Sequence, residues 1–271
     1  MSLRLRSPAK INLFLHIHAK RNDGYHDLSS LIQAVSLFDY LTVSFQDSDK
    51  FLCSIPELQG NHNLVIRARD LFRQKTGWMQ PVMIALEKHI PMEAGLGGGS
   101  GNAATILWGL NQLSGLAVPE SELQQWSAEL GSDIPFYFSH GTAYCEGRGE
   151  LVTNLSSDTM SEVTLVKPDV SLKTPAVFQE FRPTSIDPSR SQILLKQFQE
   201  GNPQYENDLE KAAFSLKPEL ISTKSELSSQ ASNVSMSGSG SSFFCIGHHQ
   251  FRSGIQSWPV LFHNRQIGEW Y

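Results

Sequence analysis

Five of the eleven residues from 91 to 101 are glycine, in the order Pro-Met-Glu-Ala-Gly-Leu-Gly-Gly-Gly-Ser-Gly. Glycine admits a left-handed backbone and lets N–H groups come close to a ligand. Before the run, Val82, Ile84 and Leu86 alternate with Met83, Ala85 and Glu87, which predicts a strand over 82–90. After it, Ala103, Ile106, Leu107, Leu110 and Leu113 recur at helical spacing until Gly115. Strand, glycine loop and helix N-terminus together offer unpaired N–H groups and the positive end of a helix dipole. That suits an oligophosphate better than it suits a plain turn. Other residue types capable of chemistry are Lys10 with Asn12, Tyr25 with His26, and Asp133. A second glycine run, Ser-Met-Ser-Gly-Ser-Gly-Ser-Ser over 235–242, leads into a strand reaching Ile246. Taken alone, that second run also fits a β-hairpin loop.

The elements that must position these residues follow from periodicity. Over 3–17, Ile11, Leu13, Leu15 and Ile17 take one face and Lys10, Asn12, Phe14 and His16 the other. On a continuous strand Lys10 and Asn12 point the same way, about 7 Å apart. An edge strand with a wet face would account for His16 and His18. Asp23-Gly24 is a turn signal, so Tyr25 and His26 follow a bend. Strand character covers 41–54. An amphipathic helix covers 63–77, with Leu64, Ala68, Leu71 and Phe72 on one face. Ser121 and Gln124 have capping-box spacing, opening a helix that buries Leu123, Trp126 and Leu130 and stops at Gly131. Asp133 fits a helix N-cap before Pro135 and fits a catalytic carboxylate equally well. Met79, Met83 and Met92 read as core and rim filler. The chain turns polar over 151–162, which sets an expected boundary between domains at 1–155 and 156–271. A strand is expected at 163–166, a proline-interrupted loop at 182–190, and a helix over 216–227 broken at Pro218.

At 271 residues the chain can hold one large or two modest domains. A net charge of −5 and a pI near 6.0 leave no basic footprint for nucleic acid and no polybasic membrane patch. Cys53, Cys145 and Cys245 lie far apart, which fits free thiols in a reducing compartment and argues against zinc. His248-His249 lacks the further ligands a zinc site needs. No signal-peptide core opens the sequence, and no apolar run approaches the ~18 residues of a membrane span. A cytoplasmic protein is expected.

The glycine loop lacks the Gly-Lys-Ser/Thr of a Walker A loop, and Ser100 stands where a dinucleotide fingerprint needs its third glycine. It resembles instead the Pro-x-x-x-Gly-Leu-Gly-x-x-Ser signature of the GHMP kinases, a superfamily of small-molecule kinases. Pro91, Gly95, Leu96, Gly97 and Ser100 match it. Pro8, Lys10 and Asn12 match the superfamily's first signature, Pro-x-Lys-x-Asn, and Ser-Gly-Ser-Gly over 237–240 matches the third. The resemblance implies a two-lobed α+β fold, with a ribosomal-protein-S5-domain-2-like N-terminal lobe and a ferredoxin-like C-terminal lobe. The active site would lie between the lobes. ATP, the implied co-substrate, would be wrapped by Pro91, Met92, Glu93, Ala94, Gly95, Leu96, Gly97, Gly98, Gly99, Ser100 and Gly101. Mg²⁺ would bridge its phosphates, with Ser100 a ligand.

Arg21-x-Asp23-Gly24-Tyr25-His26-x-Leu28 narrows the resemblance. It is similar to the branch that acts on 4-(cytidine 5′-diphospho)-2-C-methyl-D-erythritol in the non-mevalonate isoprenoid pathway. In that branch the Tyr and His hold cytosine, roles implied here for Tyr25 and His26. The Ser-x-x-Thr-Pro-x-Val-Phe element over 171–178 implies that Phe178 lies on the opposite face of the base. Leu-Gly-x-Asp-x-Pro-Phe over 130–136 implies that Asp133 is the catalytic base. Lys10 would neutralise the transferring group and hold Asp133, and Asn12 would position substrate. The implied reaction moves the ATP γ-phosphoryl to the substrate's 2-hydroxyl. Asn207-Asp208 matches a further segment of the branch. Arg148, in the turn after the strand that follows Gly141, reads as a solvated residue or a phosphate contact. Two alternatives stand beside this reading. One is a GHMP kinase for mevalonate or homoserine, which would need no base pocket. The other is a non-catalytic ligand-binding protein, which would have no use for Lys10 and Asp133. The resemblance runs from about Pro8 to Gly247 and is thin beyond.

Overall fold

The computed structural model describes residues 1–156, 161–183, 187, 189–251 and 255–271. Two long strands, β1 (Ser2–Lys20) and β2 (His26–Phe45), pair antiparallel along nearly their whole length. They meet at the expected turn, where Gly24 has φ 87°. The register shifts between Pro8/Ala9, Asn12/Phe14 and Ile17/Ala19. These bulges break the simple alternation read from sequence. Phe14 joins Ile11 and Leu13 in one apolar cluster, and every residue from Ser7 to Ile17 is buried. Over this stretch β1 therefore has no wet face; its exposed residues, Ser2, Arg4, Arg6, Ala19 and Lys20, lie at its two ends.

The strand expected over 41–54 is in fact two. β2 runs on to Phe45, and β3 (Lys50–Cys53) starts after a break. α1 (Leu64–Thr76) opens at Asn63, whose side chain accepts from the Val65 N–H, and closes at Gly77 with φ 71°. β4 (Val82–Glu87) leads to the glycine loop, and α2 (Gly98–Ser114) follows, ending at Gly115. α3 (Glu120–Ser127) has no capping box: no side chain caps it, and the Gln124 amide donates to the Pro135 carbonyl instead. It also ends short of Gly131. Next come β5 (Thr142–Gly147) and β6 (Leu151–Asn154). The later chain holds β7 (Glu162–Lys167), α4 (Thr174–Glu180), α5 (Arg190–Gln199), β8 (Glu206–Asn207), α6 (Glu210–Leu216) and α7 (Glu219–Ser228). It closes with β9 (Val234–Met236), β10 (Phe243–Ile246) and β11 (Gln256–Leu261). Pro218 separates α6 from α7 as expected. Residues 184–186 and 188 of the expected 182–190 loop lie outside the described residues.

Among the described residues the strands form two sheets. The first runs β3-β4-β2-β1-β8, with β5 on the N-terminal half of β2 and β6 beyond it. The second is antiparallel, in the order β11-β7-β10-β9. α1, α2 and α3 cover one face of the first sheet through Phe72, Leu107, Leu110 and Leu123. A second cluster joins Ile11 and Phe14 of β1 to Leu165 of β7, Phe244 of β10 and Val260 of β11, so both sheets share a core. A third packs α4, α6 and α7 on the second sheet through Val177, Ala213, Leu220 and Phe243. Met79 is exposed rather than filling the core. No helix of the described residues is long and apolar enough to cross a membrane.

Candidate active site

A cleft of about 1520 Å³ is lined by residues of both halves of the chain, from Lys10, Tyr25 and Gly98 to Phe178 and Gly238. Pockets for one small ligand span roughly 300–1,000 Å³, so this volume suits two substrates side by side.

Its floor is the bulged part of β1. Lys10 is 3% exposed, and its Nζ donates to Asn12 Oδ1 at 2.6 Å. Asn12 Nδ2 donates to Ser30 Oγ at 2.8 Å, and that hydroxyl donates to the Phe14 carbonyl at 2.6 Å. The relay fixes the amide orientation, because a committed Ser30 hydroxyl can only accept from Asn12. Lys10 Nζ also lies 3.6 Å from Asp133 Oδ2. The Asp133 carboxylate is half exposed, facing the cleft. It does not cap the following 3-10 turn, Pro135–Phe138, whose N-cap is Ile134 with no side-chain bond. The geometry thus removes the capping reading of Asp133.

The two glycine loops meet above this floor. Lys10 N–H donates to the Leu96 carbonyl at 3.0 Å. Ser237 Oγ accepts from the Asn12 N–H and donates to the Gly95 carbonyl, and the Ser242 N–H donates to the Ala94 carbonyl. The approach is close enough to demand glycine: a Cβ on Gly95 would sit 2.0 Å from the Ser237 carbonyl oxygen. Gly97, at φ 68°, starts α2 with no side-chain cap, so the first N–H groups of the helix stay open to a ligand. A Cβ on Gly97 would meet Tyr137 Oη at 2.2 Å and Lys10 Cγ at 2.9 Å, so packing as well as phosphate approach requires glycine there. Pro91 through Ser100 line the cleft. Gly101 is turned away, with Ser7 Oγ 2.8 Å from where its Cβ would lie.

At the other end, His26 is 9% exposed, with its ring 5.4 Å from that of Phe178 and edge-on to Phe181. Burial, and secondly the Lys20 ammonium, hold the His26 imidazole below its ordinary pKa, so it is neutral at pH 7. Tyr25 is exposed at the rim, and the Arg148 guanidinium lies 4.9 Å above its ring. In this structure Phe178 faces His26 rather than Tyr25. Arg148 is not a freely solvated turn residue.

A chain 48% identical to this one over 272 residues is the 4-diphosphocytidyl-2-C-methyl-D-erythritol kinase of Protochlamydia amoebophila, and the match covers all of this chain and 93% of the relative. The chain belongs to the 4-diphosphocytidyl-2-C-methyl-D-erythritol kinase family. The family models for the GHMP kinases N terminal domain and the GHMP kinases C terminal match residues 63–141 and 187–253 of this kinase. A crystal structure of a 4-(cytidine 5′-diphospho)-2C-methyl-D-erythritol kinase superposes with a TM-score of 0.82 at 33% identity, covering 97% of this chain and 100% of the other. A homoserine kinase from Cytophaga hutchinsonii, 19% identical with a TM-score of 0.72 over 98% and 96% of the two chains, shares the fold. The two-lobed α+β GHMP fold expected from the signatures is the fold of this kinase, and ATP is its co-substrate.

Several residues that build the site were not assigned to it by the sequence. Asn207 Nδ2 donates to the Met236 and Gly238 carbonyls, both at 2.7 Å, pinning the second glycine loop. Asp208 Oδ2 accepts from the Ile17 N–H at 2.8 Å and lies 2.9 Å from His16 Nδ1, fastening that segment to β1. Buried Asp39 pairs with Lys88 and accepts from the N–H groups of His89 and Ile90, setting the approach to the first glycine loop. Leu58, His62 and Leu64 extend the cleft beyond that loop. Of these, Asn207-Asp208 stands out in the sequence through the resemblance, which has it open a helix, as it does before α6, and gives it no part in the site.

Proposed function

We propose that the kinase moves the γ-phosphoryl of ATP to the 2-hydroxyl of 4-(cytidine 5′-diphospho)-2-C-methyl-D-erythritol, in the non-mevalonate pathway. One observation carries this: the Lys10–Asp133 pair sits beneath the joined glycine loops, in a cleft whose far end is a half-closed aromatic pocket with a neutral histidine. Such transfer depends on positioning and charge stabilisation. Asp133 accepts the proton of the hydroxyl as it attacks. Lys10, oriented by Asn12, holds Asp133 in place and neutralises charge on the phosphoryl group. The open N–H groups of α2 hold the ATP phosphates. Among the described residues no three His, Cys, Asp or Glu converge on a metal position. A cleft of this kind fits Mg²⁺ carried mainly by phosphates and water, with the Ser100 hydroxyl as the protein's ligand. Bound there, it would supply charge neutralisation between the phosphates. Tyr25, His26 and Phe178 form the cytidine pocket, the division between domains falls near 155, and free Cys53, Cys145 and Cys245 fit a cytoplasmic setting. Mevalonate and homoserine carry no base and leave that pocket unused. A coupled ATPase assay offering the cytidine substrate, mevalonate and homoserine tests the reading. Turnover with the cytidine substrate alone is expected, and equal turnover with either other alcohol would overturn it.

A further inference from the structure

The turn between β5 and β6 spans the distance between the two ends of the cleft. Arg148 follows Gly147 at φ 72° and precedes Gly149 at φ 116°, a backbone that only glycines accept readily on both sides. On one side its guanidinium lies 4.9 Å above the Tyr25 ring. On the other, a Cβ on Gly149 would lie 3.5 Å from Asp133 Oδ1. Glu150 anchors the arginine from below: its Oε2 accepts from the Arg148 N–H at 2.6 Å and its Oε1 from Nε at 3.2 Å. The two terminal amino groups of the guanidinium have no partner among the described residues. Arg148 nonetheless lines the cleft, with a side chain only 28% exposed. The other nearby carboxylate, Asp23, is already engaged by Arg21.

A nucleotide-linked alcohol has a fixed order: base, ribose, diphosphate, alcohol. With its base by His26 and its hydroxyl at Asp133, its diphosphate must cross the stretch between them. We propose that Arg148 grips this diphosphate and so selects nucleoside-diphosphate-linked alcohols over free ones. The inference rests on the cytidine reading of the base pocket. An open two-pronged guanidinium matches two phosphate oxygens, and a planar fork held at Nε by a carboxylate is already oriented for them. Tyr25 then supports the arginine in addition to flanking the base.

The experiment compares calorimetric dissociation constants of CDP and of cytidine for wild type, Arg148→Ala and Arg148→Lys. Alanine cannot make the charge-assisted hydrogen bonds to the diphosphate, so CDP binding should weaken roughly 10- to 100-fold, with cytidine binding within twofold of wild type. Arg148→Lys should bind CDP with intermediate affinity, since lysine keeps the charge but not the fork. The KM for ATP should stay constant. Equal weakening for CDP and cytidine would mean that Arg148 only props Tyr25, and would overturn the proposal. Unchanged CDP binding in Arg148→Ala would do the same. If wild type bound neither ligand, the cytidine reading itself would fall and this proposal with it.

Discussion

Among the described residues Asp133 is held from one side only. Lys10 lies at 3.6 Å, and the remainder of the carboxylate faces the cleft. Replacing it by Asn keeps the shape and removes the base, so turnover should drop by roughly 10²–10⁴-fold. ATP affinity should persist, because the glycine loops are untouched. Near-wild-type turnover in single-turnover kinetics would remove the catalytic assignment. His26 gives a prediction in pH. Its imidazole is held below its ordinary 6.5 by burial first and Lys20 second. A lowered value means that the neutral ring, with one donor and one acceptor, persists at pH 7 and is lost as pH falls through that lowered value. The KM for the cytidine substrate should therefore rise only below pH 6.5, while the KM for ATP does not follow. His26→Ala should abolish this acid limb and narrow the preference for cytidine over uridine. A limb that survives in His26→Ala would assign it elsewhere. The pairing of Lys10 with Asn12 was legible because two residues apart on a strand share a face, and the bulge falls just after them. The place of Arg148 over Tyr25 was not legible, because a turn residue's surroundings depend on what folds back over it.

At the scale of elements, the two glycine loops hold each other. Helix spacing and Gly115 gave α2 correctly, and Asn63 and Gly77 bounded α1, since both are local signals. The capping box at Ser121 failed because Pro119 already occupies the N-cap and the Gln124 amide has the Pro135 carbonyl within reach. The full length of β2 was not legible because its C-terminal half pairs with β4 and its N-terminal half with β5, so its surroundings change along its length. The glycine loops yield a contrast between neighbouring positions. Gly97→Ala places a Cβ against Tyr137 Oη and Lys10, at a φ that costs a non-glycine residue about 1–2 kcal/mol even in open space. Gly99→Ala meets only Leu64 Cδ1, at 3.6 Å, in a helix that favours alanine. Thermal unfolding should show a clear loss for Gly97→Ala and none for Gly99→Ala. Equal midpoints would mean that the loop relaxes freely and that its backbone conformation is not fixed by its neighbours.

Across the whole molecule, the residues after β11 tie the last part of the chain to the first sheet. Phe262 bridges Val35. Arg265, 7% exposed, donates to the carbonyls of Phe138, Ser139 and Glu269 and pairs with Glu120. Its guanidinium lies 5.2 Å over Trp270, which stacks on Trp108 and donates to the Arg6 carbonyl. Trp270 and Tyr271 thus belong to the core that α1, α2 and α3 build on the first sheet. None of this was legible in the tail, because no local period marks a segment most of whose partners lie more than a hundred residues away. The tail braces the short segment from Asp133 to Ser139, and Tyr137 of that segment donates to the Gly97 carbonyl at 2.9 Å. Truncating a buried Trp typically costs about 3–5 kcal/mol. In a chain of this size each kcal/mol moves the midpoint by about 2–4 °C. Trp270→Ala should therefore lower the unfolding midpoint by roughly 6–20 °C. Because both sheets share the cluster around Ile11, Leu165 and Phe244, the loss should appear as one cooperative transition followed equally by far-ultraviolet and tryptophan signals. Two separated transitions would show that the tail stabilises only the first sheet. An unchanged midpoint would show that the stacked rings contribute nothing to the fold.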